Sequence, residues 1–300
     1  MKVLLCGEMG AAEWSAWRAA LTQTMPEVHW LDPIAARADA EAVQAAVVAN
    51  PARGSLQPFP ALRLIQSLWA GVDRLLEDPT LPRGVPIARM VDSAMTAAMA
   101  ETALWAVLSL HRGFFAYAER QRRQVWRVHA QRRAQEISVL ILGQGQMGRA
   151  AAARISALGY AVQPWRRDGA GLPQLLAKAD IVVNLLPLTP QTRGQLDARF
   201  FAQLPAAASI VNLGRGAHLV DADLLAALES GQLRHAVLDV FHHEPLPADH
   251  PFWQHPRVTV LPHAAAQTDP RSAAAVVAAN LRALRAGEPL MHLVNPERGY

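Results

Sequence analysis

The chain contains a single cysteine, Cys6. An internal disulfide and any thiolate metal cluster are thereby excluded. Lysine is nearly as scarce, with Lys2 and Lys178 standing against 27 arginines. The net charge of +4 is modest for 300 residues and is carried mainly by guanidinium groups. Low-complexity runs and internal repeats are absent, which removes the disordered and solenoid classes. No apolar stretch of the sequence approaches the ~20 residues that span a bilayer. The opening MKVLLCGEMG has one lysine, a short apolar run and then Glu8, unlike a signal peptide. A cytoplasmic protein is expected.

What is present fits two globular domains: 51% hydrophobic and 18% charged residues over a length able to bury two cores. One dense basic stretch, ERQRRQVWRVHAQRR at 119–133, admits a nucleic-acid stripe. Val125 and Trp126 among the arginines favour a solvated or subunit-contacting helical arm instead. The expected partners are a small-molecule substrate and a second copy of the chain in a symmetric homodimer, with no nucleic acid and no membrane.

Short apolar runs at 3–6, 28–31, 45–49, 62–68 and 87–90 read as strands separated by helical patterns, the signature of parallel βα units. Residues 93–118 form a long apolar-rich helical stretch after Asp92-Ser93, a connector into a second domain. There, runs at 137–142, 161–165, 181–186, 209–213, 236–241 and 258–261 alternate with helices at about 147–158, 172–178, 197–203 and 221–229. Six such strands describe a doubly wound Rossmann-type sheet. A last helix over 270–286, ended by Gly287, packs back on the first domain. The expected fold is thus α/β: two Rossmann-like or flavodoxin-like domains with parallel sheets. Residues 1–96 with 269–300 form a discontinuous substrate domain, and 97–268 an inserted NAD(P)-binding domain.

The first chemistry lies in GQGQMG at 143–148, between a strand and a helix. Gly143 permits the tight turn, Gly145 lets the backbone approach a pyrophosphate, and Gly148 lets the helix pack on the strand. The helix N-terminus at Gln146 and Met147 offers N–H groups and a partial positive charge to phosphates. About twenty residues later an NAD site has an acid for the ribose hydroxyls. Here VQPWRRDG at 162–169 puts Trp165 there, followed by Arg166 and Arg167. Two guanidinium groups suit a 2′-phosphate, so NADP is preferred and NAD remains possible. Solvated arginines, with Asp168 as a displaced ribose-binding acid, are the alternative.

Three later strands end in VNLGRG (211–216), LDVFHHEP (238–245) and LPHAAAQT (261–268), each bringing one ionisable residue to the ligand-binding edge of the sheet. These are Arg215, Glu244 and His263. Reduction of a carbonyl by hydride creates an alkoxide that must receive a proton, and histidine delivers one near neutrality. A neighbouring carboxylate favours the imidazolium, so Glu244 is expected to raise the His263 pKa. Arginine binds a carboxylate through two parallel bonds. The combination describes 2-oxo acid reduction.

These motifs, with NLLPLTPQTRG (184–194) and the ending GEPL…NPERGY, resemble the D-isomer-specific 2-hydroxyacid dehydrogenase family over nearly the whole chain. Within it, they are most similar to the bacterial glyoxylate/hydroxypyruvate reductase A branch. The resemblance implies that Arg215 anchors the 2-oxo acid, His263 protonates the carbonyl oxygen and Glu244 tunes His263. It also implies a substrate loop in SLWAGVD (67–73), where N–H groups near Ala70 and Gly71 bind the carboxylate and Trp69 narrows the pocket. Asp239 would face the nicotinamide carboxamide, and Leu186, Pro187 and Thr192 would border the nucleotide. The sequence departs from the reductases at ANPARG (49–54), which lacks a tryptophan, and in the short segment before Ile181.

The expected activity is NADPH-preferring reduction of glyoxylate to glycolate and hydroxypyruvate to D-glycerate. A larger 2-oxo acid, or a non-catalytic NAD(P)-sensing or corepressor-like role, is the alternative. A zinc site among His242, His243, Glu244, His250, His255 and His263 lacks helical ligand spacing, so no metal is expected. Neither a GxSxG elbow nor a suitable cysteine supports a nucleophile. His218 and His235 read as surface or strand-flanking residues.

Overall fold

The computed structural model describes residues 1–166, 169 and 171–295. In chain order the elements are β1 (Lys2–Gly7), α1 (Ala11–Thr24), β2 (His29–Leu31), α2 (Pro33–Arg37), β3 (Val43–Ala49), β4 (Leu64–Ser67), α3 (Asp73–Leu76), β5 (Ile87–Ala88) and α4 (Ser93–Arg112). There follow α5 (Phe114–Arg122), β6 (Ser138–Leu142), α6 (Gln146–Ser156), β7 (Ala161–Trp165), α7 (Leu172–Leu176), β8 (Ile181–Asn184) and α8 (Ala198–Ala202). The last are β9 (Ala208–Asn212), α9 (Asp221–Glu229), β10 (Leu233–Leu238), β11 (Val258–Val260) and α10 (Pro270–Ala286). The chain divides into two compact units, Met1–Met95 with Thr268–Tyr300, and Thr96–Gln267.

The first unit is a five-stranded parallel sheet in the order β2-β1-β3-β4-β5. Its central strand β3, VQAAVVA, is buried at six of seven positions, as expected of a strand covered on both faces. The late helix α10 belongs to this unit. Ala273, Ala274, Val277, Ala278, Leu281 and Leu284 form its buried stripe at helical spacing. Asp269 caps its first turn, and Gly287 ends it at φ 72°, a left-handed conformation glycine adopts without strain. A buried polar contact fixes the register: Asn280 donates to Gln66 Oε1 of β4 at 2.7 Å across 214 residues of sequence, and accepts from the Met291 N–H at 2.8 Å.

The second unit is a six-stranded parallel sheet in the order β11-β10-β9-β8-β6-β7. The direction of winding reverses between β6 and β8, and open α/β sheets bind their ligands beyond the carboxyl ends of the strands at such a switch point. One layer of core packs α4 through Ala100, Ala103, Ala106, Val107 and Leu110 with Val139, Ile141 and Val183. The other joins Phe200, Phe201, Leu224 and Leu228 to Leu140, Val182 and Ile210.

Three sequence expectations need correction here. By length and composition α4 is apolar enough to cross a membrane, with mean hydropathy 1.3, although the sequence reading found no such stretch. Ala100, Ala103, Ala106 and Val107 are core residues of the second unit, and a helix packed tightly through small side chains has that same composition. The helix expected over 93–118 is broken at Gly113, which takes φ 73° beneath the His129 ring; a Cβ there would stand 2.0 Å from the ring. The arginine-rich arm is helical only to Arg122. Gln124 adopts φ 55°, and the β-branched and aromatic Val125, Trp126 and Val128 continue without helix. The segment returns along α5, where Arg120 donates to the Arg127 carbonyl at 2.7 Å and Tyr117 and His129 have ring centroids 5.0 Å apart.

Candidate functional site

The glycine loop leaves β6 and enters α6 with Gly145 at the N-cap. Gly143 has φ 104°, and a Cβ on it would fall 2.6 Å from the carbonyl oxygen of Leu185, just past the end of β8. Gly148 packs against Gly143, whose carbonyl oxygen would lie 1.9 Å from an added Cβ. Both glycines serve the close approach of helix and strand. Gly145 differs, because nothing lies within 4 Å of its hypothetical Cβ. Open space above a helix N-terminus is what a pyrophosphate group needs, so the loop fits a dinucleotide. Gln146 and Met147 occupy the first turn of α6, and Met147 also rests against the core.

At the end of β7, Trp165 is buried in the core and its indole N–H donates to the Gly169 carbonyl at 3.0 Å. The tryptophan that replaces the ribose-binding acid is therefore a packing residue. Arg166 follows it and is exposed. Arg167 and the alternative acid Asp168 lie outside the described residues. On the other side of the switch point, Leu186 is buried and Pro187 half-buried. The Thr192 hydroxyl donates to the Pro187 carbonyl at 2.8 Å and accepts from the Thr189 N–H at 2.8 Å. That hydroxyl closes its own loop.

Glu244 and His263 come together. His263 Nδ1 and Glu244 Oε2 are 2.7 Å apart, with both side chains partly exposed. Glu244 also accepts from the Phe241 N–H at 2.9 Å. Burial alone would raise the Glu244 pKa, but the bonds from His263 and Phe241 and the charges of His263 and Arg215 outweigh it and hold the carboxyl below its ordinary value. With Nδ1 committed to a carboxylate, the opposite ring nitrogen is the one available for proton transfer. Arg215, half-buried, follows β9, and its guanidinium donates to the Gly214 carbonyl at 2.8 Å. Gly216 packs against the backbone of Phe241, where a Cβ would stand 1.9 Å from the carbonyl carbon. The arginine turn thus abuts the segment that carries Glu244.

His263 sits at φ 53°, a left-handed conformation uncommon outside glycine. The buried Asp239 holds that turn. Its backbone carbonyl accepts the His263 N–H at 2.9 Å. Its carboxylate accepts from Ala264 at 2.7 Å and from Ala265 at 3.1 and 3.2 Å. Burial raises the Asp239 pKa, opposed by these two N–H groups and by the His263 charge.

His218 and His235 are not surface residues. His218 is fully buried and His235 is 8% exposed. His218 joins Asn184 and Asn212 in a polar cluster that the sequence reading missed. The available signal was an asparagine closing each of two apolar strands, IVVN and SIVN. Among the described residues no group of three or more His, Cys, Asp or Glu is placed to hold a metal ion. His242 and His250 lie 3.7 and 3.5 Å from the Asp221 carboxylate instead. Cys6 is buried, and burial pushes its thiol up to about 12.

The expected substrate loop follows β4 in the first unit. The Ser67 hydroxyl closes it, accepting from the Trp69 N–H at 3.0 Å and donating to the Trp69 carbonyl at 3.2 Å. The Trp69 indole N–H is buried without a hydrogen-bond partner among the described residues. Ala70 and Gly71 are half-buried beside it.

The family described as D-isomer specific 2-hydroxyacid dehydrogenase, NAD binding domain, matches residues 104–265. Glyoxylate/hydroxypyruvate reductase A of Serratia proteamaculans is 41% identical, covering 95% of this chain and 96% of that protein. The protein of the same name from Yersinia enterocolitica is 40% identical over 88% of this chain and 90% of its own. Among solved structures, a D-isomer specific 2-hydroxyacid dehydrogenase from Xanthobacter autotrophicus in complex with NADPH and MES superposes with a TM-score of 0.93 at 37% identity, covering 99% of each chain. The NADPH-dependent glyoxylate/hydroxypyruvate reductase of Sinorhizobium meliloti, in complex with NADP and sulfate, gives 0.93 at 34% identity over 100% of this chain and 99% of its own. With two parallel-sheet units and a glycine loop at the switch point, the chain belongs to the D-isomer-specific 2-hydroxyacid dehydrogenase family.

Proposed function

We propose that this chain reduces small 2-oxo acids, glyoxylate to glycolate and hydroxypyruvate to D-glycerate, with NADPH preferred over NADH. The observation that carries the reading is the 2.7 Å contact between His263 and Glu244. A histidine oriented through Nδ1 by a carboxylate is suited to give a proton from its other nitrogen to a developing alkoxide. Arg215 binds the carboxylate of the 2-oxo acid and polarises the adjacent carbonyl. NADPH, when bound, supplies the hydride.

The second unit is the cofactor domain and the first the substrate domain. The Gly143–Gly148 loop takes the pyrophosphate, and Leu186, Pro187 and Thr192 border the nucleotide. Arg166 and Arg167 take the 2′-phosphate, which sets the NADPH preference. Asp239, besides holding the His263 turn, faces the carboxamide. The N–H groups of Ala70 and Gly71 bind the substrate carboxylate, and the unpaired indole N–H of Trp69 supports a ligand at that loop. The protein is a cytoplasmic homodimer. Trp126 at 101% and Val128 at 81% relative exposure support the dimer, because large apolar side chains so exposed call for a covering surface.

A steady-state panel tests the activity: glyoxylate, hydroxypyruvate, pyruvate and phenylpyruvate, each with NADPH and NADH. The two small acids with NADPH are expected to give the highest kcat/KM. A preference for phenylpyruvate would replace the substrate assignment. Tight NADPH binding without turnover of any acid would favour the sensing role instead.

A further inference from the structure

Asn184 and Asn212 are register partners at the carboxyl ends of β8 and β9, and both are fully buried with His218. Their amide orientations are fixed by backbone groups of known polarity. The Asn184 side-chain oxygen accepts from the Leu186 N–H at 3.2 Å, so its nitrogen is the atom that reaches Asn212 Oδ1 and His218 Nδ1, each at 2.9 Å. The Asn212 oxygen also accepts from the Gly214 N–H at 3.3 Å, and its nitrogen donates to the Arg215 carbonyl at 3.1 Å. His218 Nδ1 accepts from the Arg215 N–H at 3.2 Å. A backbone N–H only donates, so Nδ1 carries no proton and the ring is the neutral Nε2–H tautomer. Nε2–H then donates to the Pro187 carbonyl at 3.2 Å.

The consequence is mechanical. The backbone of Arg215 is gripped at its carbonyl by Asn212 and at its N–H by His218. Gly214 leaves no slack, since a Cβ there would lie 3.0 Å from the Leu186 carbonyl oxygen and 3.1 Å from His218 Nδ1. We propose that His218 is a positioning residue whose Nδ1 holds the Arg215 N–H and so fixes where the guanidinium is presented to substrate. This rests on the reading of Arg215 as the 2-oxo acid anchor.

Two variants separate the ring nitrogens. His218→Asn keeps an acceptor near the Nδ1 position and loses the donor to Pro187. His218→Gln keeps a donor near the Nε2 position and loses the acceptor for Arg215. Measured with NADPH saturating, His218→Gln is expected to raise the glyoxylate KM about tenfold, because the released Arg215 backbone no longer presents its guanidinium in one place, while His218→Asn stays within about twofold of the parent. Equal rises in both variants, or none in either, would overturn the proposal in favour of a packing role. Arg215→Met is measured alongside. If it leaves the glyoxylate KM unchanged, the anchor reading itself fails. If it raises KM and His218→Gln does not, only the positioning role fails. Should both His218 variants misfold, the ¹⁵N spectrum of the unaltered protein decides. An Nε2–H neutral ring at neutral pH is expected for His218, and an imidazolium or Nδ1–H ring overturns the assignment.

Discussion

His263 Nδ1 stands 2.7 Å from Glu244 Oε2, and the same carboxylate accepts the Phe241 N–H at 2.9 Å. One side chain therefore fixes both the ring and the loop that carries it. Because the folded Glu244 pKa lies below its ordinary value, its carboxylate stays ionised through and above the usual carboxylate range. Its contribution to stability is present there and is lost as pH falls through the lowered folded pKa.

Glu244→Gln keeps an acceptor for Phe241 and removes the charge. It is expected to lower kcat for glyoxylate about tenfold or more while leaving NADPH binding unchanged, since on the proposed reading the interaction lost serves the proton donor rather than the nucleotide. The stability difference between parent and variant, followed by urea unfolding, is expected to shrink as pH drops below the ordinary glutamate range. A difference constant down to the acid transition would show that the carboxylate charge does not act through this pair.

Much of this site is legible in the sequence because its parts are local. GQGQMG sits between one strand and one helix, and Arg215, Glu244 and His263 each follow an apolar run. Periodicity alone places α9 and α10 at the residues observed. The remainder depends on contacts that local patterns do not encode. Asn184 meets Asn212 only through the parallel register of β8 and β9, and Gln66 meets Asn280 across 214 residues. The burial of His218 follows from that pairing. The arm after Arg122 fails for another reason: its arginines favour helix, while Val125, Trp126 and Val128 favour extended backbone, and packing against α5 decides.

Asp239 offers a second test. Its carboxylate takes the N–H groups of Ala264 and Ala265, and its carbonyl takes that of His263, whose φ of 53° needs such support. Asp239→Ala orphans two N–H groups, at a cost of about 2–3 kcal/mol in unfolding free energy. Asp239→Asn keeps one acceptor oxygen and is expected to lose about half as much. Amide exchange at Ala264 and Ala265 is expected to quicken in the alanine variant and kcat to fall with it. Unchanged exchange together with unchanged kcat would remove Asp239 from the support of His263.

His235 supplies an acid-stability prediction independent of catalysis. Its ring is buried in β10, stacked on Phe115 at a centroid distance of 4.4 Å, and bonded to the Thr259 hydroxyl at 2.9 Å. Burial, with the nearby charges of Arg234, His255 and Arg257, lowers its pKa from 6.5 to about 4. The folded state therefore holds a neutral ring over a pH range in which the unfolded chain takes up a proton. Stability is full above about pH 6.5 and declines as pH falls toward 4, by roughly 3 kcal/mol across that window. His235→Gln can keep a bond to Thr259 without titrating. Its unfolding free energy, measured in urea from pH 7 to pH 4, is expected to fall less steeply than that of the parent chain. Parallel slopes would mean that acid sensitivity in this range comes from other groups.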